Sequence, residues 1–512
     1  MMLSKSKLLA YRQCPKRLWL ELHRKDLAVY AQATQAVFAA GNLVGELATR
    51  LYDPDQAGQT FKVERGQIDA VLALTQAALP LRKPIFEAGF SAAGALAFAD
   101  VLLPVKHKGK RAWRMVEVKS STKVADIYHD DVAIQSFVAR QSGLLLASVA
   151  LAHIDKTFVY AGYGDYQGLL VEHDLTEEAF AREDEVRGWI AAAQTTARKR
   201  TEPRIRTGEQ CSKPYGCAFL AYCAGQEPPA AFPVQWLPRV QAKALKTKLA
   251  EPDVIDLRDV PDTLLNPQQL RVKSHTLSGK VYFDKATSAS ALAGHKLPAY
   301  FLDFETISFA VPQWRGTEPF QAIPFQFSVH RLSRSLQLKH TPHLDLTGAD
   351  PSTGLASALV KACGTSGPIF VYNKSFESTR IKELVVRLPK LGAALRAIDS
   401  RLVDLHPVVV DCYYHPSQQG SWSIKAVLPA MVPTLAYDQL QGVQDGGAAQ
   451  ASYLAAAFPQ LQAANAQSTA PKTQAQIKAQ LLAYCRLDTF AMVKIWAKLS
   501  GCNEASSLTD SQ

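Results

Sequence analysis

The chain has 512 residues, of which 47% are hydrophobic and 20% are charged; these proportions exclude a largely disordered protein and supply apolar side chains for more than one core. No apolar run approaches the roughly 20 residues of a membrane helix, and charged residues interrupt the N-terminus before a signal-peptide core, so we expect a cytoplasmic protein with no membrane partner. The net charge of +11 favours a polyanionic partner such as nucleic acid, although a merely soluble basic protein also fits it.

The first 228 residues predict one mixed α/β unit. An amphipathic helix contains "LLAYRQCPKRLWL", and the strand-like runs "ALAFADVLLPV" and "RAWRMVEVKSS" flank the basic turn "KHKGK". Two such runs around a glycine-containing turn predict a β-hairpin. A helix at roughly 131–143 and a strand in "KTFVYAGYG" are predicted to follow.

Polar side chains of this hairpin predict a first site. Residues two apart on a strand point to one face, so Glu117 and Lys119 of "VEVKS" project together, and Asp100 on the preceding strand can approach them. Two carboxylates beside an ammonium group suit metal-dependent phosphodiester hydrolysis with Mg²⁺ or Mn²⁺. Glu87 and Gln135 are further candidates. The alternative is a charged strand that faces solvent.

Five segments in order resemble the RecB-type nuclease domain of the PD-(D/E)XK superfamily, in the iron–sulfur branch that includes the CRISPR-adaptation exonucleases. They are "LLAYRQCPKRLWL", "FADVLLP", "VEVKSST", "DVAIQSF" and "CSKPYGCAFLAYC". The resemblance covers about residues 1–225 and implies a restriction-endonuclease-like fold in which Asp100, Glu117 and Lys119 are catalytic and Gln135 is the helix-motif glutamine. Many relatives have a metal-binding histidine near the position of Gly45, where this chain departs from the family.

Three cysteines, Cys211, Cys217 and Cys223, follow one another at six-residue steps. Zinc knuckles usually space their ligands more closely, and three buried apolar cysteines are another interpretation. By the resemblance, Cys14 in "RQCPKR" is a fourth ligand, and the four thiolates hold a structural [4Fe–4S] cluster. A disulfide scaffold is not expected without a secretion signal. The other cysteines are interpreted as free thiols: Cys363, Cys412, Cys485 and Cys502.

Prolines in "GQEPPAAFPVQWLP" predict a domain boundary near residue 228. Residues 229–294 are predicted to form a helical connector, 295–500 a second α/β unit and 501–512 a tail. Within the second unit, residues 441–478 are rich in Ala and Gln, which predicts a helix and a mobile segment.

Acidic residues from dispersed segments of the second unit predict a second site. "YFLDFET" places Asp303 and Glu305 on one face of an apolar strand, and Glu377 follows a buried strand at a helix start. Tyr484 and Asp488 are four apart in "LLAYCRLDTFAMVKIW" and so share a helix face. Four such carboxylates can bridge two Mg²⁺ or Mn²⁺ ions about 4 Å apart, with the tyrosine orienting water. Singly, these motifs also fit a packed tyrosine beside a solvated acid.

In this order the motifs resemble the DnaQ-like exonucleases of the RNase H fold, in the DEDD class with tyrosine in the third motif. The resemblance covers about residues 297–500 and implies that Asp303, Glu305, Glu377 and Asp488 hold metal. The chain departs from most relatives in having Glu377 where they have aspartate, and Asp404 in "RLVDL" is a second candidate for that carboxylate. The whole chain looks like an uncharacterised bacterial family that joins the two nuclease domains.

The leading hypothesis is therefore a metal-dependent DNA nuclease with two sites that processes ends or single strands, in repair or mobile-element defence. By analogy with the relatives, DNA is favoured over RNA. The basic segments "KHKGKR" and "ARKRTEPRIR" would contact phosphates. One alternative has a single active site with the other domain as a nucleic-acid clamp, and another is a non-catalytic adaptor.

Overall fold

The computed structural model of the protein describes residues 1–30, 32–61, 67–251, 253–461 and 472–509. The chain divides into two compact units. Met1–Pro228 together with Phe309–Gln321 form the N-terminal unit, and Pro229–Ser308 together with Ala322–Gln512 form the C-terminal unit. Residues 229–294, predicted as a connector, therefore belong to the C-terminal unit, and a short segment from the second half of the chain belongs to the N-terminal one.

A seven-stranded mixed sheet organises the N-terminal unit. Its strands are β1 (Leu3–Ser4), β2 (Gln59–Thr60), β3 (Ile85–Ala92), β4 (Ala95–His107), β5 (Lys110–Lys119), β6 (Leu146–Ile154) and β7 (Leu170–Asp174). The order is β2-β3-β4-β5-β6-β7, with β1 paired to β4 beside this path. Strands β3, β4 and β5 form an antiparallel meander, and β6 runs parallel to β5. The predicted hairpin is thus confirmed, with Lys108 and Gly109 in its turn.

Among the described residues of this unit, eight helices accompany the sheet: α1 (Lys5–Gln13), α2 (Pro15–His23), α3 (Gln32–Tyr52), α4 (Ile68–Ala78), α5 (Asp126–Gln141), α6 (Thr176–Ala181), α7 (Glu183–Ala197) and α8 (Leu220–Gly225). Helix α5 makes the crossover between the parallel strands β5 and β6. It is buried along nearly its whole length, because its apolar residues join the main core with Trp113 and Met115 of β5. It begins about one turn earlier than the sequence predicted.

The strand predicted in "KTFVYAGYG" is wrong. These residues form a loop, and the extended segment before it, β6, ends at Ile154. Gly162, Tyr163 and Gly164 all have positive φ values, a conformation that interrupts a strand. The aromatic and β-branched residues that suggested a strand pack locally instead, since the rings of Tyr160 and Tyr166 stack at 4.6 Å.

A five-stranded mixed sheet organises the C-terminal unit, in the order β11-β10-β9-β12-β13. The strands of this unit are β8 (Tyr282–Phe283), β9 (Ala299–Ile307), β10 (Ile323–Leu332), β11 (Leu338–Leu344), β12 (Ile369–Val371), β13 (Leu402–Asp404) and β14 (Tyr413–Tyr414). Strands β9, β10 and β11 are antiparallel neighbours, whereas β12 and β13 run parallel to β9. Strand β9 is central, and its side chains alternate between two apolar clusters on the two faces of the sheet.

Eleven helices are described in the C-terminal unit: α9 (Lys243–Leu249), α10 (Pro267–Ser278), α11 (Lys285–Leu292), α12 (Ser352–Cys363), α13 (Lys374–Arg387), α14 (Gly392–Asp399), α15 (Leu405–Cys412), α16 (Ile424–Met431), α17 (Gly446–Ala457), α18 (Gln474–Ser500) and α19 (Asn503–Ser506). Residues of α12, α13 and α14 fill one face of the sheet, and residues of α15, α16 and α18 fill the other. The mobile segment predicted within 441–478 falls partly on residues 462–471, outside the described residues, and α17 is the helix predicted there.

Helix α18 is the longest described element, and local signals define its ends. Thr473 and Gln476 form a capping box at its start, and Gly501 in the left-handed conformation follows its last turn. Its second half is buried against β9 and β10. Among the described residues, no helix combines the length and apolar character that crossing a membrane requires.

Candidate functional site

The first site lies between strand β5 and helix α5 in the N-terminal unit, where side chains of the two elements are in contact. Glu117 and Lys119 project from the same face of β5, and the Lys119 ammonium donates hydrogen bonds to Glu117 and to Asp131 of α5. The Gln135 side-chain amide donates to Glu117 Oε2 and, at 3.0 Å, to the backbone carbonyl of Phe98 on β4. The structure therefore brings Glu117, Lys119 and Gln135 into direct contact.

Two members of the first site were missed from the sequence, Lys5 and Asp131. Lys5 Nζ lies 2.9 Å from Glu117 Oε1 and 2.8 Å from Asp131 Oδ1. Asp131 had a signal, because it precedes Gln135 by four residues and so shares its helix face. No such signal was present for Lys5, which is the first residue of α1 and lies near the start of the chain.

Asp100 and Glu87 occupy the neighbouring strands. The Asp100 carboxylate accepts a hydrogen bond of 2.7 Å from the backbone amide of Val118, one step beyond the point where the β4–β5 ladder ends at Val101 and Val116. Glu87, between the ladder pairs made by Phe86 and Ala88, has a φ of +57°. A glutamate in this conformation inside a strand stores strain of about 1–3 kcal/mol, and such strain clusters at functional sites.

Buried charges dominate the electrostatics of the first site. Burial raises the pKa of Asp100 and of Glu87 above their usual values. Burial opposes the charge on Lys119, yet Asp131 and Glu117 outweigh it and hold its pKa well above the usual value. The two ammonium groups thus neutralise part of the carboxylate charge, and Lys119 remains cationic at neutral pH.

The four predicted cluster ligands line one small pocket of the N-terminal unit. Cys14 stands between α1 and α2, and Cys211, Cys217 and Cys223 come from the loop and short helix before residue 225. The wall also contains Lys16, Arg17 and Arg206, with apolar contacts from Leu20, Ile205, Phe219 and Leu220. Burial raises the pKa of Cys217, and raises that of Cys223 to about 11. Four thiols that converge beside cations have the ligand chemistry to hold a metal cluster, whose binding would displace the thiol protons.

A tyrosine connects the cysteine loop with the first site. Tyr215 lies between Cys211 and Cys217, and its backbone carbonyl accepts a hydrogen bond of 2.7 Å from the side chain of Gln13. Its hydroxyl is hydrogen-bonded to that of Tyr128. The Lys119 ammonium in turn lies 5.4 Å from the centroid of the Tyr128 ring. The loop that carries the cysteines thus contacts the wall of the first site.

The second site lies between β9 and α18 of the C-terminal unit. Asp303 and Glu305 project from the β9 face that α18 covers, because their neighbours Leu302 and Phe304 enter the core on the opposite face. Asp488 and Tyr484 project from α18 towards them, and the Tyr484 hydroxyl is hydrogen-bonded to Asp488. The carboxylates of Asp488, Glu305 and Glu377 all act on Asp303. The structure therefore brings together the five predicted members of this site.

Burial shifts every carboxylate of the second site in the same direction. It raises the pKa of Glu305 to about 8, of Glu377 to about 8 and of Asp488 to about 6, and it raises that of Asp303 well above its usual value. Neighbouring carboxylates add to the effect for Asp303 and Glu305. Concentrated, desolvated negative charge of this kind is compensated by protons or by divalent cations.

Glu377 and Asp404, the two candidates for the fourth carboxylate, have different environments. Asp404 caps backbone amides, accepting hydrogen bonds from Asn373, Lys374 and His406 at 2.9–3.1 Å. Glu377 is 3% exposed, and its Oε2 has no hydrogen-bond partner among the described residues. The carboxylate of Glu377 is therefore the one left for a ligand, while Asp404 fixes the turns between β12, α13, β13 and α15.

Three further side chains of the second site were missed from the sequence. The Tyr437 hydroxyl donates a hydrogen bond of 2.5 Å to Asp488 Oδ1. Lys425 Nζ lies 5.2 Å from the Tyr484 ring centroid, and its charge lowers the pKa of Glu305 and Asp488. Cys485 Sγ lies 3.7 Å from Asp303 Oδ2. Cys485 had a local signal, since it stands beside Tyr484 and three residues before Asp488; Tyr437 and Lys425 come from segments with no motif.

A comparison with protein families finds similarity in the second half of the chain. A family model described as a domain of unknown function (DUF2779) matches residues 300–423. The matched segment contains Asp303, Glu305 and Glu377, and it ends before Tyr484 and Asp488. No curated protein matches the chain.

Proposed function

We propose that the protein is a metal-dependent nuclease with two active sites, one in each unit, and that DNA is its substrate. The observation that carries the proposal is that Asp303 lies within electrostatic reach of three further carboxylates, those of Glu305, Glu377 and Asp488, each at most 7% exposed. A protein with a net charge of +11 has no structural need to desolvate four carboxylates together, and such a cluster is costly unless cations occupy it.

In the second site, Asp303, Glu305, Glu377 and Asp488 would hold one or two divalent cations. Bound Mg²⁺ or Mn²⁺ would polarise the scissile phosphate and lower the pKa of an attacking water. Tyr484 orients that water, because its hydroxyl is anchored to Asp488. Lys425, beside the rings of Tyr437 and Tyr484, stands where it can balance the charge of an incoming phosphate. The strand order of this unit supports the resemblance to the RNase H fold.

In the first site, Asp100 and Glu117 would hold the cation, with Glu87 as a further ligand. Lys119 remains protonated, so its role is to bind the phosphate and offset negative charge in the transition state. Gln135 orients Glu117 through their hydrogen bond. A Cβ atom at Gly45 would meet no heavy atom of the described residues within 4 Å, so the position at which relatives have a histidine has room but supplies no ligand.

The four cysteines would hold a [4Fe–4S] cluster that joins the first helices of the chain to residues 211–223. Its proposed role is structural, since it closes a loop of nearly 200 residues. The direct hydrogen bonds of Gln13 to the backbone carbonyls of Gln210 and Tyr215, both 2.7 Å, support the same closure.

A cleavage assay tests the proposal. End-labelled single- and double-stranded DNA and RNA are incubated with Mg²⁺ or Mn²⁺ and with anaerobically purified wild type, Lys119→Ala, Asp303→Ala and the double variant. Lys123→Ala and Asp438→Ala, which change exposed residues outside both sites, are the controls. We expect each site variant to lose one class of product and the double variant to lose all cleavage.

The alternatives give different results in the same assay. If only one of the two single variants loses activity, the other unit is a nucleic-acid clamp. If wild-type protein that retains its iron shows no metal-dependent cleavage of any substrate, the nuclease proposal is wrong, and retained nucleic-acid binding would then favour the adaptor.

A further inference from the structure

A thiol faces the carboxylates of the second site. Cys485 is fully buried, and its Sγ lies 3.7 Å from Asp303 Oδ2 and 3.9 Å from the Asp303 carbonyl oxygen. One ligand atom each from Asp303, Glu305 and Cys485 lie within 4.8 Å of one another. Two carboxylate oxygens and a sulfur are therefore close enough to bind one ion.

A second observation points to a cation at this place. Glu377, which acts electrostatically on Asp303, has a buried oxygen with no hydrogen-bond partner among the described residues. Asp488 differs from Glu377, because one of its carboxylate oxygens already accepts a hydrogen bond from the Tyr437 hydroxyl. The centre thus combines three converging ligand atoms with a neighbouring carboxylate that can still accept a charge-assisted bond.

The chemistry of the ligands determines which cation fits. Mg²⁺ prefers oxygen ligands in octahedral geometry, so it would leave the sulfur unused. Zn²⁺ and Cd²⁺ bind thiolate together with carboxylate, and three protein ligands with an open fourth position are typical of catalytic zinc.

We propose that Asp303, Glu305 and Cys485 form a three-ligand site for a thiophilic divalent cation of the Zn²⁺ type, which competes with Mg²⁺ or Mn²⁺ at the second site. On binding, the Cys485 S–H bond breaks, its proton passes to solvent, and a sulfur–metal bond forms without any change of oxidation state. The site itself stands on the geometry alone; its effect on cleavage rests on the proposed nuclease function.

Cd²⁺ titration of the full-length protein with its cluster cysteines already loaded with iron tests the site. We expect wild type to develop a thiolate-to-cadmium absorption band that is absent from Cys485→Ser and Cys485→Ala. The control is Cys412→Ser, which replaces a buried cysteine outside the site and should keep the band. Cd²⁺ affinity should fall by at least about tenfold in both Cys485 variants, because even partners outside the ligand set contribute 10–100-fold. Mn²⁺ affinity, measured by electron paramagnetic resonance, should stay within about twofold, which also shows that the variants are folded.

Two results would overturn the inference. The first is that wild type and Cys485→Ser show the same thiolate-to-cadmium band and the same Cd²⁺ affinity. The second is that wild type shows no thiolate-to-cadmium band. In an added arm, Zn²⁺ should inhibit Mg²⁺-dependent cleavage by wild type more strongly than cleavage by Cys485→Ala. Absence of Mg²⁺- or Mn²⁺-dependent cleavage in wild type contradicts the proposed function but leaves the Cd²⁺ result standing, so the two failures are distinguishable.

Discussion

Replacing Glu377 with glutamine should stabilise the metal-free protein, although the substitution removes a proposed metal ligand. Burial raises the pKa of Glu377 from 4.5 to about 8. Because the folded state binds the proton more tightly than the unfolded state, the contribution of this group to stability is fully present below pH 4.5 and is lost as the pH rises to about 8. Glutamine has nearly the same shape and carries no charge, so it avoids this loss.

The magnitude follows from the interval between the two pKa values. Each pH unit above 4.5 and below 8 costs at most about 1.4 kcal/mol, so the cost at pH 7, which is 2.5 units above 4.5, is at most about 3.5 kcal/mol. For a unit of roughly 270 residues, this corresponds to a rise in melting temperature of up to about 7–14 °C in Glu377→Gln. Near pH 4.5 the variant and wild type should melt together.

Scanning calorimetry between pH 4.5 and 9 with a divalent-cation chelator measures the effect. The transition of the C-terminal unit is the one to follow, since two compact units need not melt together. Glu383→Gln on the same helix is the control, because it removes only a partly exposed ion pair with Arg380, worth about 0–1 kcal/mol. Adding Mn²⁺ should stabilise wild type more than Glu377→Gln. If Glu377→Gln is destabilised at every pH, Glu377 is favourably charged in the folded state, and its pKa is not raised by burial.

Three further predictions concern single side chains. Asp404→Ala should cost about 0.5–2 kcal/mol of stability through the lost helix cap but leave the Mn²⁺ affinity unchanged. Glu377→Gln should weaken Mn²⁺ binding, so Mn²⁺ titration of the two variants separates the two candidates for the fourth carboxylate. Tyr437→Phe removes a hydrogen bond that lowers the pKa of Asp488, so the pH of half-maximal Mn²⁺ binding should rise, and an unchanged midpoint would contradict that role. Cys217→Ser should lose iron and its visible absorption together with thermal stability of the N-terminal unit; full iron content in this variant would count against the cluster.

The short-range parts of both sites could be predicted from the sequence. Glu117 and Lys119 are two apart on β5, Asp303 and Glu305 are two apart on β9, and Tyr484 and Asp488 are four apart on α18. In each case the period of the element alone places the pair on one face. The β4–β5 hairpin was predictable for the same reason, since a glycine-containing turn joins two strand-like runs.

Residues that enter a site from distant parts of the chain could not be predicted. Lys5 bonds Glu117 across 112 positions and Tyr437 bonds Asp488 across 51, and neither belongs to a segment with a local pattern. The strand wrongly predicted in "KTFVYAGYG" shows the opposite error, because strand-favouring residue types were counted while the backbone freedom of Gly162 and Gly164 was not. Tertiary packing decides such positions, and local propensity does not record it.

The two sites balance their negative charge differently, and the difference bears on the metal dependence that we propose for each. In the first site, Lys5 and Lys119 contact Glu117 and Asp131 directly, so the carboxylates are partly neutralised by the protein itself. In the second site, Lys425 acts on Glu305 and Asp488 from beside two tyrosine rings, and the pKa of Glu305, raised to about 8, favours a bound proton on that carboxylate at neutral pH. Divalent cations that replace those protons gain binding energy from relieved repulsion, so the folding of the C-terminal unit should be linked to metal concentration more strongly than that of the N-terminal unit.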